Sequence, residues 1–453
     1  MSKNISKTFT ESCLKNYKNN LQNIIIKNAM IKNGIDAVAL NQEKVIQNQR
    51  VFSIDIEAGK VTNQKQSGRC WMFAGLNTLR QSVVKKYKIK EFEFSECYLM
   101  FWDKFEKANY FLESIIDTLK EPIDSRIVMF LLQSPIDDGG EWEFYCNLVE
   151  KYGVVPKYVM PETAQSESSN KMNSLLGYKL RQAAMNIRNL NKSGAKIAEI
   201  RKVKEAALTE VYSMLCNFLG EPPKKFDFEY YSEEKDEKDK KFNRVENLTP
   251  VEFYKNITPS DVDEFISLVH IPTSDKKFNT TYTVEFVGNI VGGRELKYLN
   301  IDLSLLKQIT IKQLENKEPV WFGCDVTKMS DRKLGIMDTE IFLYDQALST
   351  DFTMSKGERV EYMESSCTHA MVLTGVNLVN GKPNRWKVQN SWGDENGEKG
   401  YFVMSDKWFD EYTYQVVINK KYLTDELLSY YEQKPEILKP WDPIQLFLNS
   451  DEQ

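Results

Sequence analysis

The most constraining feature of this sequence is the stretch from Gln64 to Gly75, which reads Q-K-Q-S-G-R-C-W-M-F-A-G. Apolar side chains recur at helical spacing after Cys70, so we expect a helix that begins at this cysteine. The positive end of a helix dipole favours a thiolate over a thiol at such a position. The Gln64 amide and the Cys70 backbone N–H can both donate to a developing oxyanion. The stretch therefore predicts one half of a cysteine nucleophile site.

The other half lies far downstream, in two short motifs. His369 stands in C-T-H-A ahead of an apolar run, and Asn390 opens N-S-W-G 21 residues later. A thiol nucleophile needs an imidazole that takes up its proton and returns it to the leaving amine. An asparagine oxygen can accept the other N–H of that ring and fix its orientation. Trp392 would shield this hydrogen bond from water, which would otherwise weaken it.

In this order, Q-x5-C-W, T-H-A and N-S-W-G resemble the papain superfamily of cysteine peptidases. Within that superfamily, the sequence is most similar to the bleomycin hydrolase or aminopeptidase C family. Further stretches that carry the resemblance run from about residue 50 to the C-terminus. They include Ser134-Pro135, Asp138-Gly139-Gly140, Tyr152 to Lys157, Gly335 to Asp338 and Pro440-Trp441-Asp442-Pro443.

The resemblance implies a fold and a set of site residues. The fold is α+β, papain-like, with a helical lobe and a β-rich lobe, a large helical insertion, and N- and C-terminal extensions. Cys70 is implied as the nucleophile and Gln64 as an oxyanion donor, while His369 is the general base and Asn390 orients it. Residues implied in substrate binding are Trp71, Asp138, Gly139, Gly140 and Trp392.

The resemblance also divides the chain into five segments. Cys70 and His369 lie much further apart than the about 130–150 positions typical of short papain-like enzymes, so an insertion must separate them. We expect an N-terminal arm packed on the core (1–62), a helical lobe with the nucleophile (63–160), a mainly helical insertion that serves assembly (161–280), a β-rich lobe (281–420) and a C-terminal arm directed toward the active-site cleft (421–453). The charged run from Glu233 to Lys241 is interpreted as a solvated loop or helix face.

The few histidines narrow the choice of base. The chain has 2 histidines, and His270 lies in an apolar, strand-like run without a motif partner, so we place it outside the site. No spacing typical of metal ligands accompanies them, so we expect neither a metal nor a cofactor. The cysteines other than Cys70 are interpreted as structural.

Composition bounds the partners and the compartment. A net charge of −5, with 60 basic and 65 acidic residues, disfavours a dedicated nucleic-acid-binding protein. There is no signal-peptide core and no apolar run of the roughly 18 residues that a membrane span needs. Ser67 and Asp137 stand where secreted papain-like enzymes carry a disulfide. These features predict a cytoplasmic protein with no membrane partner.

The predicted function is that of a cysteine aminopeptidase acting on peptides. In the resembled family the C-terminus blocks one side of the cleft, and six subunits enclose the sites, so a homohexamer is implied. The tail after Pro443 is longer and bulkier here than the small-residue ending of that family. Two alternatives therefore remain open. One is a papain-like endopeptidase whose tail does not block the cleft, and the other is an oligomeric binding protein whose peptidase activity is secondary or absent.

Overall fold

Helices dominate the first half of the chain and strands the second. The computed structural model describes residues 3–233 and 240–444. Its helices are α1 (Lys7–Lys18), α2 (Leu21–Asn33), α3 (Ile35–Ala39), α4 (Gln42–Gln47), α5 (Cys70–Tyr87), α6 (Glu96–Asp117), α7 (Arg126–Gln133), α8 (Trp142–Tyr152), α9 (Ala164–Glu167), α10 (Asn170–Lys192), α11 (Ile197–Leu219), α12 (Pro250–Ile257), α13 (Leu303–Glu315), α14 (Tyr344–Leu348), α15 (Lys356–Glu361), α16 (Asp406–Tyr412) and α17 (Asp425–Glu432).

The strands form one large mixed sheet and one separate hairpin. They are β1 (Ile54–Asp55), β2 (Phe226–Glu233), β3 (Lys240–Leu248), β4 (Phe265–Val269), β5 (Thr280–Val284), β6 (Tyr298–Asn300), β7 (Val320–Cys324), β8 (Ser330–Asp331), β9 (Ile336–Met337), β10 (His369–Val379), β11 (Lys382–Gln389), β12 (Tyr401–Ser405), β13 (Thr413–Asn419) and β14 (Glu436–Leu438). The large sheet runs β14-β5-β6-β4-β13-β7-β10-β11-β12-β9-β8, with β1 added to β10. Only β2 and β3 form the hairpin.

The helices follow the periodicity of the sequence closely. Helix α5 begins at Cys70, as predicted, and α2 ends at Asn33, where Gly34 adopts a φ of +87° that favours glycine. The two long helices of the insertion, α10 and α11, pack against α6 of the helical lobe. One apolar core lies between the helices and the large sheet, and a second one is formed mainly by other residues of that sheet and the helices packed on it.

Register in the sheet places the two downstream motifs side by side. Strands β10 and β11 form an antiparallel hairpin whose two-residue turn is Asn380-Gly381, both with positive φ, as a tight hairpin turn requires. Val372 pairs with Gln389 across this hairpin. Because His369 opens the first strand and Asn390 follows the second, the hairpin brings them to the same end.

The structure differs from the sequence-based expectation in the insertion. Strands β2 and β3 form a hairpin inside the segment expected to be mainly helical, and β4 joins the large sheet before residue 281. The charged run from Glu233 to Lys241, interpreted as a loop or helix face, begins and ends in this hairpin, where Glu233 pairs with Lys240. Residues 234–239 of the run lie outside the described residues. In the described ranges, no helix is long and apolar enough to cross a membrane.

Candidate active site

Cys70 is the first residue of helix α5 and is held there by the turn before it. Arg69 is 1% exposed, and its guanidinium donates to both carboxylate oxygens of Glu162 and to Ser67 Oγ at 2.8 Å. A buried guanidinium with this many acceptors fixes its backbone firmly. The sequence motif contains Arg69, but nothing in it identified Glu162 as the partner. These contacts fix the backbone from which Cys70 begins helix α5.

The thiol of Cys70 lies against the start of β10. Burial raises the pKa of this thiol to about 11, whereas hydrogen bonds from the backbone N–H groups of Ala370 and Trp71 act in the opposite direction. Ala370 directly follows His369 in β10, so the sulfur lies close to the backbone at His369. The favourable helix-dipole effect expected from the sequence is therefore opposed by burial, and a separated thiolate is disfavoured in the resting site.

His369 is fully buried and held by one ring nitrogen. Its Nε2 lies 2.9 Å from Asn390 Oδ1, while Nδ1 has no hydrogen-bond partner in the described residues. Burial lowers the pKa of His369 to about 4, the bond to Asn390 raises it, and the charge of Arg332 lowers it. Burial thus favours the neutral form of both the thiol and the imidazole, and proton transfer between them would create an ion pair without changing the net charge.

Asn390 and the imidazole are covered by Trp392. The indole and imidazole centroids are 4.8 Å apart with the planes inclined by 32°. The Ser391 backbone N–H donates to Asn390 Oδ1 at 2.7 Å, which fixes the amide oxygen that faces the histidine. Trp392 therefore shields this hydrogen bond as the sequence motif suggested, in a place where water would weaken it.

Gln64 connects the nucleophile turn to the asparagine motif. Its Nε2 donates to Ser67 O at 2.7 Å, and its Oε1 accepts from Ser391 Oγ at 2.7 Å. The Gln64 backbone N–H also donates to Ser391 O at 2.8 Å. These bonds fix the orientation of the amide, and a primary amide carries two N–H groups. Gln64 Nε2 uses one N–H in its bond to Ser67 O, so a second N–H is left over.

Asp138, Gly139 and Gly140 form a loop that packs on the nucleophile helix. Trp71 Nε1 donates to Asp138 O at 2.7 Å, and a Cβ at Gly140 would lie 2.5 Å from the Trp71 ring, so only glycine fits there. Gly68 N donates to Asp138 Oδ2 at 3.1 Å. Contact of these residues with a substrate stays a prediction.

The carboxylate of Asp138 is occupied by protein donors. Lys104, Ser169 and Asn173 donate to it in addition to Gly68. Burial alone would raise the pKa of Asp138, but Lys104 and these hydrogen bonds hold it below its usual range. The buried Lys104 was not identified from the sequence, since lysines in helices are usually solvated. Through these bonds Asp138 supports the glycine loop and the nucleophile turn.

The remaining cysteines, all within the described residues, form no disulfide bridges, and two of them, Cys324 and Cys367, lie close to His369. All seven are free thiols, and Cys324 pairs across β7 and β10 with His369. Cys367 is buried two residues before His369, and burial raises its pKa well above the usual value. His270 lies apart from the motifs, with Nδ1 2.9 Å from Ile301 O.

The C-terminal arm approaches the site in its described part. Strand β14 pairs with β5, and Trp441 packs 4.2 Å from the Arg126 guanidinium. Ile444 is 8% exposed and, with Cys367 and Tyr414, lines a small cavity of about 20 Å³. The arm therefore reaches a residue close to His369. Residues 445–453 lie outside the described residues.

The fold and the site together define a papain-like cysteine peptidase framework. The model of the Peptidase C1-like family matches residues 4–445. The chain belongs to this family, as the resemblance predicted.

Similar proteins cover nearly the whole chain. It is 48% identical over 444 residues to Aminopeptidase C of Listeria innocua, which covers 98% of this chain and 99% of that protein. It is 40% identical over 433 residues to human Bleomycin hydrolase, covering 93% and 94%. The crystal structure of PepW from Lactobacillus rhamnosis matches with a TM-score of 0.95 at 48% identity, covering 98% and 99%. The predicted family and α+β fold are confirmed.

Proposed function

We propose that this protein is a cysteine aminopeptidase that removes N-terminal residues from peptides. The observation that carries the proposal is the 2.9 Å contact between His369 Nε2 and Asn390 Oδ1, which leaves Nδ1 for the thiol of Cys70. The relatives named Aminopeptidase C and Bleomycin hydrolase, at 40–48% identity, support the same class of reaction.

The proposed chemistry is acyl transfer through a thioester. His369 Nδ1 takes the Cys70 proton as the sulfur bonds to the peptide carbonyl carbon, and the carbonyl electron pair moves onto oxygen. The imidazolium then protonates the leaving nitrogen, so the C–N bond breaks and the amine departs. Water, deprotonated by the neutral imidazole, attacks the thioester and releases the acid and the thiol.

Two donors are proposed to hold the oxyanion of the tetrahedral intermediates. They are the backbone N–H of Cys70 and the unoccupied N–H of Gln64. Both are fixed before substrate binds, because Cys70 is anchored by its helix and Gln64 by Ser67 and Ser391. Preorganised donors of this kind stabilise developing charge without reorganising during the reaction.

The restriction to N-terminal residues is attributed to the C-terminal arm. Ile444 lies with Cys367, which precedes His369 by two positions, so the arm ends its described course beside the cleft. We propose that the arm, in this place, shortens the cleft so that a single residue fits ahead of the scissile bond. The protein would then accept a substrate whose first residue has a free α-amine and reject one that has further residues on the N-terminal side.

Assembly and location form part of the same proposal. Exposed apolar side chains on the insertion support its predicted role in a homohexamer: Tyr178 is 74% and Met185 is 54% exposed. Free thiols at all seven cysteines support a reducing, cytoplasmic environment. The acidic charge balance, with 65 acidic against 60 basic residues, gives no support to a nucleic-acid partner.

The test compares a fluorogenic aminoacyl amide with its N-acetylated twin under reducing conditions. We expect kcat/KM to be higher by about 100-fold or more for the free amine, because a site built for a polar group rejects an analogue that lacks it. Equal turnover of both would contradict the aminopeptidase proposal and favour an endopeptidase. Turnover of neither substrate would contradict a peptidase whose cleft is open. A variant without residues 445–453 would then distinguish two explanations. Activity in this variant would indicate a cleft overfilled by the tail, and continued inactivity would indicate a binding protein.

A further inference from the structure

Arg332 is an exposed cation placed at the edge of the candidate site. Its guanidinium carbon lies 4.2 Å from the centroid of the Trp392 ring, the same ring that covers His369 at 4.8 Å. Among the residues the structure describes, no carboxylate forms an ion pair with Arg332. Its positive charge is therefore available to a ligand.

A tight turn presents this side chain. Asp331 Oδ1 accepts from the Leu334 backbone N–H at 2.8 Å, and Asp331 O accepts from Gly335 N at 2.8 Å. Lys333 O accepts from Gly397 N at 3.1 Å, which ties the turn to the loop after Trp392. The backbone around Arg332 is fixed, and the ring beneath restricts its guanidinium through a cation–π contact.

The chemistry of the reaction decides which part of a peptide lies near this cation. The acyl part stays on Cys70, whereas the leaving nitrogen receives its proton from His369. The leaving peptide must therefore begin beside the imidazole, where Trp392 and Arg332 lie. The charge of Arg332 is felt at this place, since it lowers the pKa of His369.

We propose that Arg332 is a specificity-determining residue that binds a carboxylate of the leaving peptide. The substrate class is then peptides with an anion close after the scissile bond. That anion is either the C-terminal carboxylate of a very short peptide or an acidic side chain. Guanidinium and carboxylate suit each other in geometry and charge. The proposal rests on the aminopeptidase function proposed above.

The test uses matched peptides that share one accepted N-terminal residue, X. X-Gly is compared with X-Gly-amide, and X-Glu-amide with X-Gln-amide, in wild type, Arg332→Gln and Lys333→Gln. Lys333 is the control because it is exposed on the same turn but does not lie on the Trp392 ring. Each variant is judged by its own ratio of kcat/KM between the two members of a pair, so a general change in rate cancels.

We expect wild type to prefer the anionic member of at least one pair by about 3- to 10-fold, mainly through KM, as for a partly exposed charge-assisted contact. The preference should fall to about 1 in Arg332→Gln, persist in Lys333→Gln and shrink with added salt. A preference confined to X-Gly assigns the C-terminal carboxylate, and one confined to X-Glu-amide assigns the acidic side chain.

Three results would overturn the proposal. They are a wild-type ratio of about 1 for both pairs, a preference that survives Arg332→Gln, and an equal loss in both variants, which would indicate a diffuse field instead of a contact. Hydrolysis of an X-coumarylamide, whose leaving group is neutral, shows whether the Arg332 proposal alone fails or the proposed aminopeptidase function fails as well. If wild type hydrolyses it, only the Arg332 proposal fails, and if it does not, both fail.

Discussion

Replacement of Cys70 by alanine is expected to lower kcat for an aminoacyl amide by about 10⁴-fold or more, because removal of a nucleophile leaves only binding and the oxyanion donors. The fold should persist, since the anchors of the nucleophile turn are Arg69 and Glu162 and the alanine fits the space of the thiol. The measurement is steady-state hydrolysis, together with the affinity for a substrate-like peptide that is not cleaved.

Cys13 supplies the matched control for this change. It is an exposed free thiol on helix α1, and Cys13→Ala should keep the wild-type rate. Retention of more than about 1% activity in Cys70→Ala, well above the expected residual, would contradict Cys70 as the nucleophile. Equal losses in both variants would point to damage that is unrelated to the site.

Replacement of His369 by glutamine should lower kcat by about 10³-fold or more, because proton transfer in both half-reactions depends on the imidazole. His270→Gln is the control, since that ring bonds to Ile301 O and stacks on Phe278 away from the site. We expect His270→Gln to keep the wild-type rate. If His270→Gln lost activity while His369→Gln kept it, His270 and not His369 would be the base.

The same histidine sets the acid limb of the pH profile. Burial lowers the pKa of His369 to about 4, below its usual value, so the imidazole stays neutral and able to take the thiol proton far into the acid range. We expect kcat/KM to fall only as the pH drops through this region, well below 6.5. Recovery of full activity on return to neutral pH separates titration from unfolding, and an acid limb at or above 6.5 would contradict the burial of this ring.

The sequence names the candidate site residues through local motifs, and it carries less information on the sheet. Cys70, His369 and Asn390 stand in short local motifs, and α5, α10 and α11 show the 3.6-residue period of amphipathic helices. Strands β4 and β13 are buried on both faces, so they lack the alternation that identifies a half-exposed strand. For that reason the sequence does not predict β13, whereas the run that forms β4 is interpreted as strand-like from its apolar residues beside His270.

Long-range polar pairs were beyond the reach of local motifs. Arg69 and Glu162 are 93 positions apart, and Lys104 and Asp138 are 34 apart, so no spacing rule links them. Each pair combines a buried charge with a partner that only the fold supplies. The bond from Ser391 Oγ to Gln64 Oε1 joins residues 327 positions apart, so the six-residue offset between Gln64 and Cys70 could not reveal it.

The most direct test of a Cys70 aminopeptidase is the mass of the acyl group trapped during turnover of an unblocked peptide. Acid quenching preserves a thioester, and peptide mapping locates it on the chain. We predict a single amino-acid residue attached to Cys70, and none when the same peptide is N-acetylated. An acyl group of several residues on Cys70 would show an endopeptidase, and an adduct on any other residue would contradict the assigned nucleophile.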